Sequence, residues 1–349
     1  KGVGSDSSVI AAIDRAISLK SRFNIRVINL SLGRAIQESY RQDPLCQAVE
    51  RAWQAGIVVV AAAGNLGRDN SVGNEGYGTI TSPGNDPFVI TVGAAKTMET
   101  PGRSDDLIAS YSSKGPTAID HIVKPDLIAS GNRMISTLAG PSSYLPTNFT
   151  GNIIATSTYK TASDNGSNAY YRLSGTSMAA PMVSGAAILL LEQNPNLTPD
   201  QVKARLMKTA YKVFPTSSVA VDVVTGKSYR SYYDAFTIGT GLLDIAAALE
   251  HRDIAQGSAQ SPKAVYSSTR SGTTVSMVFD SSVVWGTSVL WGTSVVWGTN
   301  VTVSGTSLLW GTSVVWGTST NQATSVLWGT GILWGTSRVT GESIAVAIL

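Results

Sequence analysis

At 349 residues, 43% hydrophobic and 14% charged with a formal net charge of +3, the chain is long and apolar enough to bury a full core. So small a positive excess gives no basis for nucleic acid or an anionic membrane surface as partner. The single cysteine, Cys46, excludes an internal disulfide framework, and no apolar run approaches the ~20 residues of a membrane span.

Residues 7–20, SSVIAAIDRAISLK, place Val9, Ile10, Ile13, Ile17 and Leu19 mostly along one helical face, with serine available as N-cap. RVINLSLG follows as a short strand ending at Gly33. Asp43 as N-cap and Pro44 in the first turn open a second helix, which stops at Gly56 and carries Cys46 as small core packing. IVVVAAAGN is a continuous apolar, β-branched run, the pattern of a strand buried on both faces. FVITVGA supplies another strand after the turn SPGNDP. This alternation predicts an α/β fold, a mostly parallel sheet flanked by helices on both faces. Ligand sites in such sheets lie at the carboxyl ends of the strands, where SLG and AAGN fall.

Residues 139–169 are polar and rich in Ser, Thr, Asn and Gly, and read as a long surface excursion. The helix from near Ser177 through MVSGAAILLLEQ is almost uncharged, which predicts a central, buried position. NLTPDQVKARLMKTA opens with Thr198, Pro199 and Gln201, a capping box, and GTGLLDIAAALEH gives a last helix capped by Asp244. The compact domain is expected to span 1–252, followed by a linker over 253–279 and a repeat region over 280–349.

In that last region Trp-Gly-Thr recurs at Trp285, Trp291, Trp297, Trp310, Trp316, Trp328 and Trp334, mostly every six residues, with no charged residue between Asp280 and Arg338. An even period puts each tryptophan on the same face of a strand, while the glycines permit a turn or bulge. Two readings stand. One is a stacked or low-order β-prone tail; the other is an accessory module whose tryptophans contact glycan or a cell surface.

The stretch LSGTSMAAPMVSG, Leu173 to Gly185, sets a serine among small residues just ahead of a helix. Unpaired amides and the positive dipole end there favour developing negative charge, so Ser177 has the setting of a nucleophile. A capping serine in a tight turn reads the same way. Asn65 ends a buried strand behind AAAG, where small neighbours leave its amide free to reach a cleft, although asparagine is also an ordinary turn residue.

GTSMAAP, VVVAAAGN and NLSLG, in this order and on these predicted elements, resemble the subtilisin-like serine proteases. The similarity runs from about Lys1 to Leu249 and includes KPDL at Lys124 to Leu127. The resemblance implies peptide-bond hydrolysis through an acyl-enzyme on Ser177, with Asn65 and the Ser177 backbone N–H holding the oxyanion. It implies that Leu30, Ser31, Leu32 and Gly33 pair as an edge with the substrate backbone. Ala62, Ala63 and Gly64 would form the opposite wall of the primary specificity pocket, with Thr81 near its floor. Glycine is common at that floor position in the family, so a β-branched residue there would make the pocket shallower. The implied partner is a protein or peptide substrate, and the implied location is extracellular. No cofactor is expected. Calcium commonly stabilises the family, but no cluster of carboxylates at ligand spacing stands out, so no metal ligand is assigned. The related sedolisins carry an aspartate at the oxyanion position, and Asn65 argues against them.

The family order is Asp, His, Ser, with the aspartate in an Asp-Ser/Thr-Gly turn and the histidine in a His-Gly-Thr helix start. Neither motif is present: Asp6-Ser7-Ser8 lacks the glycine, and the two histidines, His121 and His251, are not followed by one. Both read as ordinary surface or packing residues. The expectation is therefore that the chain is the C-terminal portion of a protease domain whose aspartate and histidine lie upstream of Lys1. The alternative is a pseudoprotease or surface-binding structural protein that keeps Ser177 without a base. On either account the chain alone is a poor enzyme.

Overall fold

A computed structural model of the chain describes residues 3–138, 140, 142–159, 166–269 and 272–278. In the repeat region it describes strands at 295–296, 301–304, 309–310, 314–316, 319–322, 327–328, 332–334 and 338–340. Helix α1 (Asp6–Phe23) starts where the Ser5 hydroxyl accepts from the Ser8 amide, and ends at Asn24 in the left-handed region. Strand β1 (Val27–Leu30) leads to helix α2 (Pro44–Gln54), whose cap is Asp43 and whose first position is the proline. Cys46 on α2 is fully buried, and burial pushes its thiol up and away from the reactive thiolate form.

Strands β2 (Val58–Ala62), β3 (Ile90–Lys96) and β5 (Leu127–Ser130) complete a parallel sheet in the order β1-β2-β3-β5, and the short β4 (Leu107–Ile108) pairs antiparallel with the end of β3. Every residue of β2 is buried, so both faces of the sheet are covered, as its unbroken apolar run requires. Helix α4 (Thr176–Gln193) packs across β1, β2, β3 and β5, while α2 packs on β2 and α1 on α2. The fold is α/β, a mostly parallel sheet flanked by helices.

Helix α4 departs from its expected full burial. Ala179, Ala180, Val183, Ala187 and Leu190 are buried, but Met182, Ile188 and Leu189 are 37%, 54% and 40% exposed. Strand β1, on which α4 also packs, pairs only with β2 among the described residues.

The polar stretch 139–169 also differs from a plain surface loop. Strand β6 (Met134–Thr137) pairs antiparallel with β8 (Gly166–Leu173), and β7 (Ile153–Ala155) pairs with the other edge of β8, making a three-stranded sheet. Between them lies helix α3 (Tyr144–Asn148), whose end is tied down by Tyr171, the hydroxyl of which donates to the carbonyls of Leu145 and Phe149. Pairing across more than thirty positions is what local polarity fails to signal.

Helix α5 (Pro199–Thr209) has both bonds of the Thr198/Gln201 capping box. A hairpin, β9 (Ser217–Val221) and β10 (Ser228–Tyr232), and helix α6 (Ile245–Glu250), capped by Asp244, follow. Residues 258–264, inside the stretch read as a linker, run along the domain. The Ser258 hydroxyl and Ala259 amide donate to Asp200, the Ser261 amide donates to the Pro87 carbonyl, and the Val123 amide donates to the Pro262 carbonyl. Strands β11 (Lys263–Thr269) and β12 (Gly272–Val278) then form a hairpin.

The repeat region adds strands β13 (Val295–Val296), β14 (Val301–Ser304), β15 (Leu309–Trp310), β16 (Val314–Trp316), β17 (Ser319–Gln322), β18 (Leu327–Trp328), β19 (Ile332–Trp334) and β20 (Arg338–Thr340). They form parallel ladders: β14-β17-β20 continues from β12, and β13-β16-β19 and β15-β18 are two further ladders. Val301 faces Ser319, Leu309 faces Leu327 and Val314 faces Ile332, a step of three hexapeptides. Trp310 is thereby the register partner of Trp328, and Trp316 of Trp334. Trp285, Trp291 and Trp297 lie outside the described residues.

Candidate active site

Ser177 is the second residue of α4, half-buried, at the carboxyl end of the parallel sheet. The N-cap is Gly175, which offers no side-chain acceptor, and among the described residues nothing accepts from the Ser177 N–H. The Gly175 amide donates to the Gly131 carbonyl at 2.9 Å, fixing the turn against the end of β5.

Asn65 stands directly across from this turn. Its Oδ1 accepts from the Thr176 amide at 2.9 Å and from the Thr176 hydroxyl at 3.1 Å. Those two donors settle which end of the side chain is the oxygen, so Nδ2 is the end left over, and it has no acceptor among the described residues. Thr176, fully buried, also receives the Gly64 amide on its hydroxyl at 3.2 Å. It thus joins the end of β2 to the start of α4, a role sequence reasoning missed. A threonine at the first helical position beside the serine was the only local trace.

Past Leu30, which is buried, the residues Ser31, Leu32 and Gly33 are exposed until Arg34 exchanges both backbone hydrogen bonds with Ser82. Ala62 and Ala63 are buried opposite, and Gly64 turns with φ of +110°. Thr81 lies between these two segments. A Cβ on Gly33 would fall 2.5 Å from Thr81 Oγ1, and one on Gly64 would fall 2.9 Å from Thr81 Cγ2. Both glycines are therefore required by close approach, and the threonine occupies the gap between them.

The two histidines lie elsewhere. His251 follows α6, next to Leu249, whose carbonyl receives Gln193 at the last residue of α4. Ser177 sits at the other end of that helix, about 24 Å away at ~1.5 Å per residue. Burial lowers the His251 pKa, with Lys208 acting in the same direction and Asp253 against it. His121 is an exposed residue ahead of β5, at the opposite end of that strand from Gly131. Asp6 pairs with Arg34 at 2.6 Å. Among the described residues no cluster of three or more His, Cys, Asp or Glu could hold a metal ion, and no helix is long and apolar enough to cross a membrane.

Comparison with known proteins finds relatives over the same region of the chain. The family model described as "Subtilase family" matches residues 1–241. Serine protease AprX of Bacillus subtilis is 45% identical over 184 residues, covering 52% of this chain and 37% of that protein. Subtilisin DY of Bacillus licheniformis is 31% identical over 249 residues, covering 71% and 64%. Among solved structures, fervidolysin from Fervidobacterium pennivorans, a keratinolytic enzyme related to subtilisin, is 26% identical with a TM-score of 0.47, covering 71% of this chain and 29% of that one. The chain spans between about a third and two thirds of the length of the two curated relatives. With the motif-bearing strands and helix all inside the matched residues, the chain belongs to the subtilase family.

Proposed function

We propose that the protein is a secreted serine endopeptidase whose nucleophile is Ser177. The observation that carries this reading is the Asn65 side chain, whose Oδ1 is taken by both Thr176 donors, while among the described residues neither its Nδ2 nor the Ser177 N–H has an acceptor. Ser177 Oγ attacks the scissile carbonyl carbon, and the resulting oxyanion accepts from Asn65 Nδ2 and the Ser177 N–H. Collapse expels the amine, which leaves with the proton that Ser177 gave up to its base, and the ester left on Ser177 is hydrolysed by water to regenerate the hydroxyl. The substrate lies extended along Leu30 to Gly33, with its side chain directed between that edge and Ala62–Gly64, over Thr81.

The proton acceptor in this reading is neither His121 nor His251, both remote from Ser177. A histidine and an orienting aspartate come from a segment preceding Lys1. The open edge of β1 and the exposed stripe Met182, Ile188 and Leu189 on α4 support this, since such surface in a folded protein is ordinarily covered. The test is to treat the protein isolated from its source with an organophosphorus serine reagent and locate the adduct by peptide mass. Labelling of Ser177 is the expected result; no labelling, with the protein folded, points instead to a pseudoprotease that presents the tryptophan repeat.

Thr81 makes the pocket shallow, so residues with small side chains are preferred before the cleaved bond. Thr81→Gly should raise the kcat/KM ratio of a phenylalanyl over an alanyl peptide by about 10–100-fold, the range that a few heavy atoms of pocket volume command. An unchanged ratio in the assay would remove Thr81 from the floor. No cofactor enters the mechanism. For the tail we propose contact with glycan or a cell surface, supported by the recurrence of tryptophan at matching register positions.

A further inference from the structure

Pro181 lies inside α4, four residues after Ser177. A proline has no N–H, so the helical bond that would end on the Ser177 carbonyl is missing, and that carbonyl needs another donor. It has one: Ser31 Oγ donates to it at 2.7 Å. A hydroxyl has a single proton, so Ser31 Oγ must act as acceptor toward its other neighbour, Asn29 Nδ2, at 2.9 Å. With Nδ2 so committed, Asn29 Oδ1 accepts from the Ser184 hydroxyl at 2.9 Å. Ser184 is buried two turns further along α4, where the Ala180 carbonyl, at 3.2 Å, is its more distant acceptor. Each hydroxyl proton and the Asn29 carbonyl oxygen is thereby assigned, and the series runs in one direction only.

We propose that Asn29 and Ser184 are positioning residues for the nucleophile, acting through Ser31 on the peptide unit that carries Ser177. The series clamps the first turn of α4 to the end of β1 at a point where the helix's own bonding is interrupted. It sets the height and rotation of Ser177 relative to the edge Leu30–Gly33 along which a substrate would lie. Ser177 Oγ itself points back to this edge, donating to the Ser31 carbonyl at 3.3 Å. One residue of the docking edge is thereby bonded in both directions to the nucleophile. This inference rests on the reading of Ser177 as the nucleophile.

Asn29→Asp is the directional test, because it keeps shape and replaces the amide donor to Ser31 Oγ with an acceptor. The Ser31 proton then turns to the new carboxylate and the Ser177 carbonyl is abandoned. In the full chain, the limiting rate of Ser177 labelling by the organophosphorus reagent should fall about tenfold, with the half-saturating concentration and the unfolding midpoint nearly unchanged. Ser184→Ala should lose less, and Ser184→Thr should restore the rate. Asn29→Asp combined with Ser184→Ala should be no slower than Asn29→Asp alone, because both act through one series. A wild-type rate for Asn29→Asp, or losses that multiply, would overturn the proposal. If the wild-type protein is not labelled at all, the nucleophile reading fails separately. Hydrogen exchange then decides: Asn29→Asp should deprotect amides in 173–180 but not 183–193, and unchanged exchange in 173–180 overturns the clamp.

Discussion

Asn65→Ala lowers turnover by about 10²–10³ while leaving KM within a small factor of its original value. The size is the loss produced by removing the corresponding oxyanion donor in subtilisin, and it is taken over here from that relative. The direction comes from this chain's own geometry. Both donors on Thr176 end on Asn65 Oδ1, so in the proposed mechanism the end of the amide left for a substrate is Nδ2. A ground-state carbonyl gains little from that N–H, whereas a tetrahedral oxyanion gains much, so the effect falls on kcat. Asn65→Asp separates this role from a structural one. It would leave an acceptor where a donor is needed, and would also place a negative charge beside the forming oxyanion. It should therefore be at least as slow as the alanine variant while retaining the Thr176 bonds. Steady-state kinetics on one peptide amide, in protein that carries its catalytic base, reads both variants. A kcat within threefold of wild type for Asn65→Ala would remove Asn65 from the oxyanion site.

Asp126→Ala destabilises the fold by about 3–5 kcal/mol, the cost of stranding buried charge. Asp126 lies at the entry to β5 with Lys124 and Lys203, and all three are at most 2% exposed. One carboxylate oxygen accepts from Lys124 at 2.8 Å and from the Thr91 amide at 2.7 Å. The other accepts from the Ser261 hydroxyl and from Lys203 at 3.1 Å. Burial by itself would raise the Asp126 pKa, but the two ammonium groups bring it below the ordinary carboxylate range. Burial pushes Lys203 down to about 7, against the opposing pull of Asp126. Removing the carboxylate strands the buried Lys124 ammonium without its counter-charge and withdraws the pull that holds a proton on Lys203. Urea denaturation at neutral pH should show the loss, and Asp126→Ala combined with Lys203→Met should recover part of it. A wild-type midpoint for the single variant would mean that the lysines are neutral in the fold. The pH dependence has a definite sign. Because the folded pKa of Asp126 is depressed, its contribution is present above the unfolded value of ~4 and is lost as pH falls through the folded value. Asp126→Asn should therefore flatten the acid limb of the stability curve.

Ser261 ties this cluster to the segment beyond α6, which composition alone reads as linker. Lysine, aspartate and serine are residues that ordinarily face water. Nothing in their local pattern tells that these four meet in the interior. The same limit applied to the stretch 139–169, where a polar sequence folds into β7 and the first half of β8 because β8 finds β6 and β7 as partners. It applied to α4 in the opposite sense: an almost uncharged helix predicts a central, buried position, and part of its apolar surface is open.

The sequence by itself determined helices α1, α2, α4, α5 and α6, strands β1, β2 and β3, and their order. Asp43 with Pro44, Thr198 with Gln201, and the run VVVAA act over at most a few residues, so their outcome is written locally. It also pointed to Ser177, because small residues before an uncharged helix leave a nucleophile accessible. Which end of Asn65 faces the cleft was decided only by the tertiary structure, through Thr176, 111 positions away. So was the wedging of Thr81 between Gly33 and Gly64, and the passage of one proton order from Ser184 through Asn29 and Ser31 to Ser177. Each of these depends on which donor meets which acceptor after distant segments pack. A hydrogen bond has a direction and a single proton to give, and neither is assigned until both partners are in place.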